Sequence, residues 1–392
     1  MNAQRDTCLA DRQTQYGVES TVSAEHRTPN TVNRSRRILI VNPFGIGDAL
    51  FTTPMIEAIK AQSPDTYIGY ISNIRTAPFF LSNEKVDKVF IFEKDEYRAL
   101  WKMSKARFIK KLFELLGDIR KERFDTVFDL SMAREYGFFL KMAGIRERIG
   151  YNYKKRGLFL TKKIDLEKGF SDKHIVEYYL DLLNPAGLTR PKSPCLKIYI
   201  SELEQEKVDK MLFGAGIGAD DKFIAIAPGG GKSWGGTSFR KQWPKECFVE
   251  TIKGVLSRTG LKVVLLGNDG DKTICDYIKN QEPSCVNLCD QTDLLSLAAI
   301  LRRSALLIAN DGGPLHIGVG SGARTISIFG PVDERVYGPY PLSADHKVIK
   351  DDDLKCRPCY KNFKVPVCDD RKCLDNILPV VVIEEAIRML ES

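Results

Sequence analysis

From Ala305 to Pro331 the chain reads A-L-L-I-A-N-D-G-G-P-L-H-I-G-V-G-S-G-A-R-T-I-S-I-F-G-P. Few folds accommodate that order. An apolar run, Ala305 to Ala309, stops at Asn310-Asp311. Gly312, Gly313 and Pro314 follow, and His316 falls where a helix would make its first turn. A second apolar run, Thr325 to Phe329, closes the unit. The pattern predicts strand, tight glycine turn, short helix, strand. Glycines there let a ligand approach the backbone, and Pro314 suits the first helical position. Backbone N–H groups gathered at such a turn make a ready site for phosphate.

The same alternation recurs. Arg36 to Asn42 is a continuous apolar run of the buried parallel-strand kind, followed by Pro43-Phe44-Gly45-Ile46-Gly47 and a helix opening at Asp48. Tyr67–Ile71, Lys88–Phe92 and Phe124–Leu130 read as further strands, with one amphipathic helix from about Tyr97 to Arg123 between the last two. Beyond the proline-rich stretch Thr189–Pro194 the alternation restarts at Phe223–Ala227 and Lys262–Gly267. These patterns predict an α/β chain of two Rossmann-like parallel-sheet domains facing across a cleft, with ligands at the strands' carboxyl ends. The expected divisions are a disordered tail over 1–34, an N-terminal domain over 35–190, a C-terminal domain over 191–376 and a terminal helix over 377–392.

Composition narrows the classes. No segment approaches the ~20 uninterrupted apolar residues of a membrane span, and the first residues carry no apolar signal-peptide core. A cytoplasmic protein is therefore expected. With 59 basic against 51 acidic residues the charge excess is mild. It is concentrated at Arg146–Lys163, where seven Lys and Arg interleave with Tyr151, Tyr153 and Phe159. That segment reads either as a strand with a solvated loop or as a docking surface for an anionic acceptor or membrane headgroups. No recognised nucleic-acid module surrounds it.

Three loops at strand ends carry glycine: Gly45–Asp48, Gly229–Gly236 and Asp311–Pro314. In the first, Leu50 stands where a dinucleotide fingerprint needs its third glycine, and no acidic residue ends the second strand at Asn73. In the second, Gly231-Lys232-Ser233 imitates the end of a P-loop, but Ile226 replaces its leading glycine. Both nucleotide-binding classes are disfavoured. Asp48 reads as a helix cap or as a general base. His316 reads as a satisfied buried histidine or a phosphate neighbour. Asp311 could cap the Gly-Pro helix, and Lys241 could be a plain surface lysine.

Taken together, N-P-F-G-I-G-D-A-L at 42–50, G-G-G-K-S-W-G at 229–235, K-Q-W-P at 241–244, N-D-G-G-P-L-H-I at 310–317 and F-G-P at 329–331 resemble the ADP-heptose:lipopolysaccharide heptosyltransferase family. R-I-G-Y at 148–151 and H-I-V-E-Y-Y-L-D-L-L at 174–183 carry the likeness too, which spans roughly residues 36–390. The resemblance implies an inverting, metal-independent glycosyltransferase of the GT-B architecture, in which the N-terminal domain binds the acceptor and the C-terminal domain the nucleotide sugar. Asp48 matches the family's catalytic base. Lys241 matches the lysine that meets the diphosphate. Asp311, Gly312, Gly313 and His316 match the donor-binding motif, beside the loop glycines Gly229, Gly230 and Gly231. Gly312 departs from the Ser or Thr common there. Asp269 and Asp271 are weaker candidates for a ribose hydroxyl. Arg148, Lys154, Lys155 and Arg156 are candidate acceptor contacts. The implied partners are an ADP-heptose or similar sugar nucleotide, an anionic glycolipid and the cytoplasmic membrane surface, met by a monomer that needs no cofactor.

Two alternatives stay open: a same-fold transferase of another sugar nucleotide, and a non-catalytic nucleotide-sugar or glycolipid binder. Cys356, Cys359, Cys368 and Cys373, spaced C-x2-C-x8-C-x4-C, read as reduced or locally disulfide-linked thiols, with structural zinc as the alternative.

Overall fold

The computed structural model describes residues 35–231, 234–368 and 370–392. The expected tail over 1–34, and Lys232, Ser233 and Asp369, lie outside the described residues.

The first domain begins with β1 (Arg37–Val41). Its side chains alternate between two cores. Ile38 and Ile40 pack with Phe51 and Met55, whereas Leu39 and Val41 pack with Leu116 and Phe124. Burial on both faces is why the strand reads as an unbroken apolar run, and each such side chain contributes about 1.5–3 kcal/mol. The chain continues through α1 (Ile46–Leu50), α2 (Thr53–Gln62), β2 (Tyr67–Ser72), α3 (Ala77–Leu81) and β3 (Lys88–Ile91). Next come α4 (Lys94–Met103), α5 (Lys105–Lys121), β4 (Thr126–Asp129), α6 (Arg134–Met142), β5 (Glu147–Tyr153), β6 (Lys162–Leu166) and α7 (Ile175–Asp181). The single helix expected over 97–123 is in fact two. Ser104 is extended (φ −160°, ψ 106°) and its hydroxyl accepts from the Arg107 amide, capping α5.

The second domain runs α8 (Glu202–Gly214), β7 (Phe223–Ala227), α9 (Lys245–Thr259), β8 (Lys262–Leu265), α10 (Lys272–Gln281), β9 (Val286–Asn287) and α11 (Leu294–Arg303). It closes with β10 (Leu306–Asn310), α12 (Gly313–Ser321), β11 (Thr325–Phe329), α13 (Glu334–Tyr337), β12 (His346–Lys350), α14 (Lys372–Asp375) and α15 (Pro379–Glu391). Among the described residues there are two six-stranded parallel sheets, ordered β3-β2-β1-β4-β5-β6 and β12-β11-β10-β7-β8-β9. Counted within each domain, both follow the 3-2-1-4-5-6 order of dinucleotide-type folds. The outer strands β6, β9 and β12 were not expected. They carry Lys, Asn and Asp at exposed or half-exposed edge positions, which blurs the apolar signal.

The domains are firmly joined. One core continues from Phe51, Tyr179 and Leu182 into Leu307, Leu315 and Ala309. The connecting chain is tied to both sides: the Lys197 amide donates to Thr53 Oγ1 at 3.1 Å and the Ile198 amide to Gly320 O at 3.0 Å. The terminal helix α15 packs on α9 and touches β10 and β11. Among the described residues, no helix is long and apolar enough to cross a membrane.

Candidate functional site

Each sheet offers a glycine loop at its carboxyl edge, and each loop is braced by an asparagine. In the first domain, Asn42 Nδ2 donates to Asp48 O at 2.9 Å, and its Oδ1 accepts from the Phe44 amide at 3.1 Å. This holds Gly45 extended as the N-cap of α1. Asp48 is therefore the third residue of α1 and not its cap. Its carboxyl is pushed up to about 6 by burial, against backbone hydrogen bonds at Gly45 and Asp48 and the positive charge of Lys241. Gly47 must lack a side chain, since a Cβ there would lie 2.8 Å from the His316 ring. Phe51, one turn on, meets His316 edge-on at 4.7 Å.

In the second domain, Asn310 at the end of β10 donates to Pro228 O at 2.7 Å and to Gly229 O at 3.2 Å. Its Oδ1 accepts from the Trp243 amide at 3.0 Å. Gly229 and Gly230 are tightly enclosed: a Cβ would come within 2.2 Å of Asp271 and 2.4 Å of Ser238 O. Asp271 accepts from the Asn268 amide at 3.0 Å, so it fixes the turn after β8 against Gly229. Lys241 ends a 3-10 turn spanning Gly235–Lys241. Far from being a surface lysine, it pairs with Asp311 at 2.6 Å with both side chains under a tenth exposed. Its ammonium also lies 5.1 Å from the Trp234 ring centroid. Asp311 does not cap α12, whose N-cap is Gly312 with Gly313 and Pro314 opening the first turn. His316 is buried, with Nδ1 lacking a partner among the described residues. Burial first, and then the Lys241 charge, pull its pKa to about 3, so the ring is neutral at pH 7.

Asp48, Lys241, Asp311 and His316 thus come together from two domains. Aromatic residues complete the surroundings, and of these the quoted motifs contain Trp234 but neither Tyr337 nor Tyr360. Trp234 and Tyr360 lie 5.3 Å apart, Tyr337 and Tyr360 5.9 Å. Burial and then the charges of Asp48 and Asp311 push the Tyr360 hydroxyl up to about 12. Burial drives the Tyr337 hydroxyl upward, and the Tyr360, Asp48 and Asp311 charges add to it. His174, the N-cap of α7, bridges the domains through Gly338 O at 3.1 Å, and burial holds it neutral. In the sequence it stood out only as the first residue of the H-I-V-E-Y-Y-L-D-L-L stretch, with no role attached.

The basic segment behaves differently. Arg148 lies in β5 with its guanidinium engaged by backbone, Nε donating to Phe159 O at 2.6 Å and Nη1 to Arg146 O at 3.2 Å. Lys154 and Lys155 adopt positive φ in the turn after β5, and they and Arg156 are exposed. No hydrogen bond or ion pair among the described residues links this turn to Asp48. Tyr153, just before it, packs on Phe363 at 5.3 Å. The four clustered cysteines are all free thiols. Burial and the neighbouring thiols push Cys373 up to about 11. Among the described residues no group of three or more His, Cys, Asp or Glu is arranged to hold a metal. The Cys368 thiol donates to Asp370 O at 3.0 Å.

Residues 112–366 match the model of glycosyltransferase family 9 (heptosyltransferase). Lipopolysaccharide heptosyltransferase 3 of Escherichia coli is 23% identical over 344 residues, 85% of this chain and 96% of that protein. A solved glycosyltransferase of family 9 from Veillonella parvula superposes with a TM-score of 0.76 at 24% identity, covering 91% of this chain and 98% of its own. The E. coli heptosyltransferase WaaC with ADP-2-deoxy-2-fluoro heptose superposes with a TM-score of 0.67 at 17% identity, over 90% of this chain and 99% of its own. The likeness of fold bears out the GT-B expectation.

Proposed function

The chain belongs to glycosyltransferase family 9, the heptosyltransferases, and from that premise we propose that it moves a heptose from an ADP-sugar to a lipopolysaccharide-core acceptor with inversion. The observation that carries this reading is Asp48: a carboxyl lifted to about 6, facing a buried Lys241–Asp311 pair across the domain boundary. A carboxylate with that affinity for protons takes the acceptor hydroxyl's proton as its oxygen attacks the anomeric carbon. The bond to the diphosphate breaks on the opposite side, and ADP leaves with the negative charge.

The second domain has groups suited to that charge. Lys241 supplies a cation. The start of α12 supplies the amides of Gly312 and Gly313 and the positive end of a nine-residue helix. Neutral His316, with its unpartnered Nδ1, donates to a phosphate oxygen in the tautomer protonated there. These groups do the work a divalent cation does in other transferases, so the reaction proceeds without one. WaaC, solved with an ADP-fluoroheptose, supports the choice of donor. The name of the E. coli relative supports the choice of acceptor. Lys154, Lys155 and Arg156 face the anionic acceptor, and the protein works as a monomer at the inner face of the cytoplasmic membrane.

The test is a donor panel of ADP-, UDP-, GDP- and CMP-sugars with released nucleotide measured, followed by mass spectrometry and anomeric NMR of the product. Transfer from ADP-heptose with inversion is expected. Turnover confined to another nucleotide sugar, or retention of configuration, overturns the reading.

A further inference from the structure

The first sheet bears a second feature on the face turned away from α1. A cavity of about 320 Å³ opens between α5, α6 and the ends of β2 and β3. Phe92, Tyr97, Phe108, Phe113 and Phe138 stand in its wall, and Glu135 is its one charged residue. Such a volume reaches the range of small-ligand sites, at about 300 Å³ and above. The wall offers almost no hydrogen-bond partners, which penalises a polar occupant and suits a methylene chain.

The rim has its own character. Trp101, Met103, Ile109, Phe113 and Phe138 are each between 47% and 75% exposed. Apolar exposure on this scale marks an interaction surface. From Lys94 to Lys121, nine Lys and Arg stand against four carboxylates. Lys102, Lys105 and Arg107, at the α4–α5 corner, have no carboxylate partner among the described residues. The Lys105 ammonium instead lies 5.4 Å from the Trp101 ring centroid, and Trp101 meets the cavity's Phe108 at 5.0 Å. Unpaired cations beside exposed aromatics, over an apolar recess, form an amphipathic surface of the interfacial kind.

We propose that this cavity takes one acyl chain of an anionic membrane phospholipid, with Lys102, Lys105 and Arg107 on the headgroups. The free cations select a negative surface, and the recess adds a chain contact that salt does not screen. Ile71, near the end of β2, and Phe92, just after β3, put the cavity at the carboxyl edge of the first sheet, the edge from which β1 leads into α1 and Asp48. The site is independent of which sugar moves.

The experiment uses the full chain and vesicles of phosphatidylglycerol or of phosphatidylcholine. Sedimentation is expected to favour phosphatidylglycerol strongly. Phosphatidylglycerol brominated deep in its chains quenches Trp101, and Trp101→Phe removes that quenched signal. Phe113→Asp and Phe138→Asp, both at exposed positions, each weaken binding by about an order of magnitude. The triple variant Lys102→Glu, Lys105→Glu, Arg107→Glu touches no core residue and weakens it by about fivefold or more per cation. Wild-type binding by the Phe variants overturns the proposal. So does vesicle binding without quenching, which would mean cations alone. A dimer that the Phe variants dissociate, with no vesicle binding, assigns the face to a second copy and also overturns it. Nucleotide release with a deacylated, water-soluble acceptor is read in the same preparation. If it persists while vesicle binding fails, the lipid site alone falls. If vesicles bind and no donor turns over, the sugar-transfer reading alone falls.

Discussion

The two glycine loops that meet at the domain boundary are built alike and charged differently. Each follows a central strand and is braced by an asparagine, Asn42 or Asn310. Each carries one carboxylate, Asp48 or Asp311. Asp311 has the Lys241 ammonium at 2.6 Å as its ion-pair partner. Asp48 feels that lysine only at a distance, and burial raises it to about 6. Similar scaffolds therefore hold one carboxylate that burial lifts toward neutral pH and one that is paired with a buried cation. On the proposed function, the first serves the chemistry and the second fixes a cation where a diphosphate would lie.

Breaking the first loop is expected to have the largest effect. Asp48→Asn keeps the shape of α1 and removes the proton acceptor. Transfer should fall about 10²–10⁴-fold, while the Kd for ADP-sugar, read by calorimetry, stays near the wild-type value. Transfer at the wild-type rate would remove Asp48 from the mechanism.

Breaking the second loop should act on stability and affinity together. Lys241→Met leaves Asp311 buried beside no cation, at about 3–5 kcal/mol. Chemical denaturation should show that loss, and adding Asp311→Leu should recover most of it. Binding of ADP should weaken in both proteins, because the cation is gone from both. Full affinity for ADP in the double variant would make the pair purely structural.

This contrast was only half legible in the residues. Glycine-loop positions and central strands were readable, because strands buried on both faces must be continuously apolar, as at Ile38–Val41. Edge strands such as β12, H-K-V-I-K, alternate with exposed lysines and lose that signal. The break at Ser104 was hidden inside an amphipathic pattern that continues on both sides of it. Asp48, Lys241, Asp311 and His316 came from the resemblance, and only coordinates pair Lys241 with Asp311. Tyr337 and Tyr360 carry no motif, since a wall residue is defined by what it faces. Arg148 looked like an acceptor contact because sequence records its charge and not its bonds to Phe159 O and Arg146 O.

A smaller effect would test how closely the two loops need to approach. Gly47→Ala places a methyl 2.8 Å from the His316 ring, so α1 and α12 must separate slightly. A stability loss of about 1–3 kcal/mol is expected. Pairing it with His316→Ala should relieve part of the loss in a double-mutant cycle. Strictly additive effects would mean the ring moves aside freely.

The smallest effect concerns pH, and it reads the difference between the two carboxylates directly. Asp48 must be ionised to act, so kcat/KM should rise through about pH 6 and then level. His316 does not contribute to that rise, because its pKa is about 3. The stability effect has the opposite sign. A carboxyl raised from 3.8 to about 6 by folding stabilises fully below pH 3.8, and that stability is lost as pH rises through about 6. Complete burial would set the difference near 3 kcal/mol. Asp48 keeps some access to water, which trims the value to roughly 1–2 kcal/mol. Asp48→Asn should therefore unfold at higher denaturant than wild type at pH 8, and the advantage should vanish at pH 4. An Asp311→Asn variant should show no such gain at pH 8, since it gives up an ion pair. Equal pH dependence in the two variants would erase the distinction between the loops.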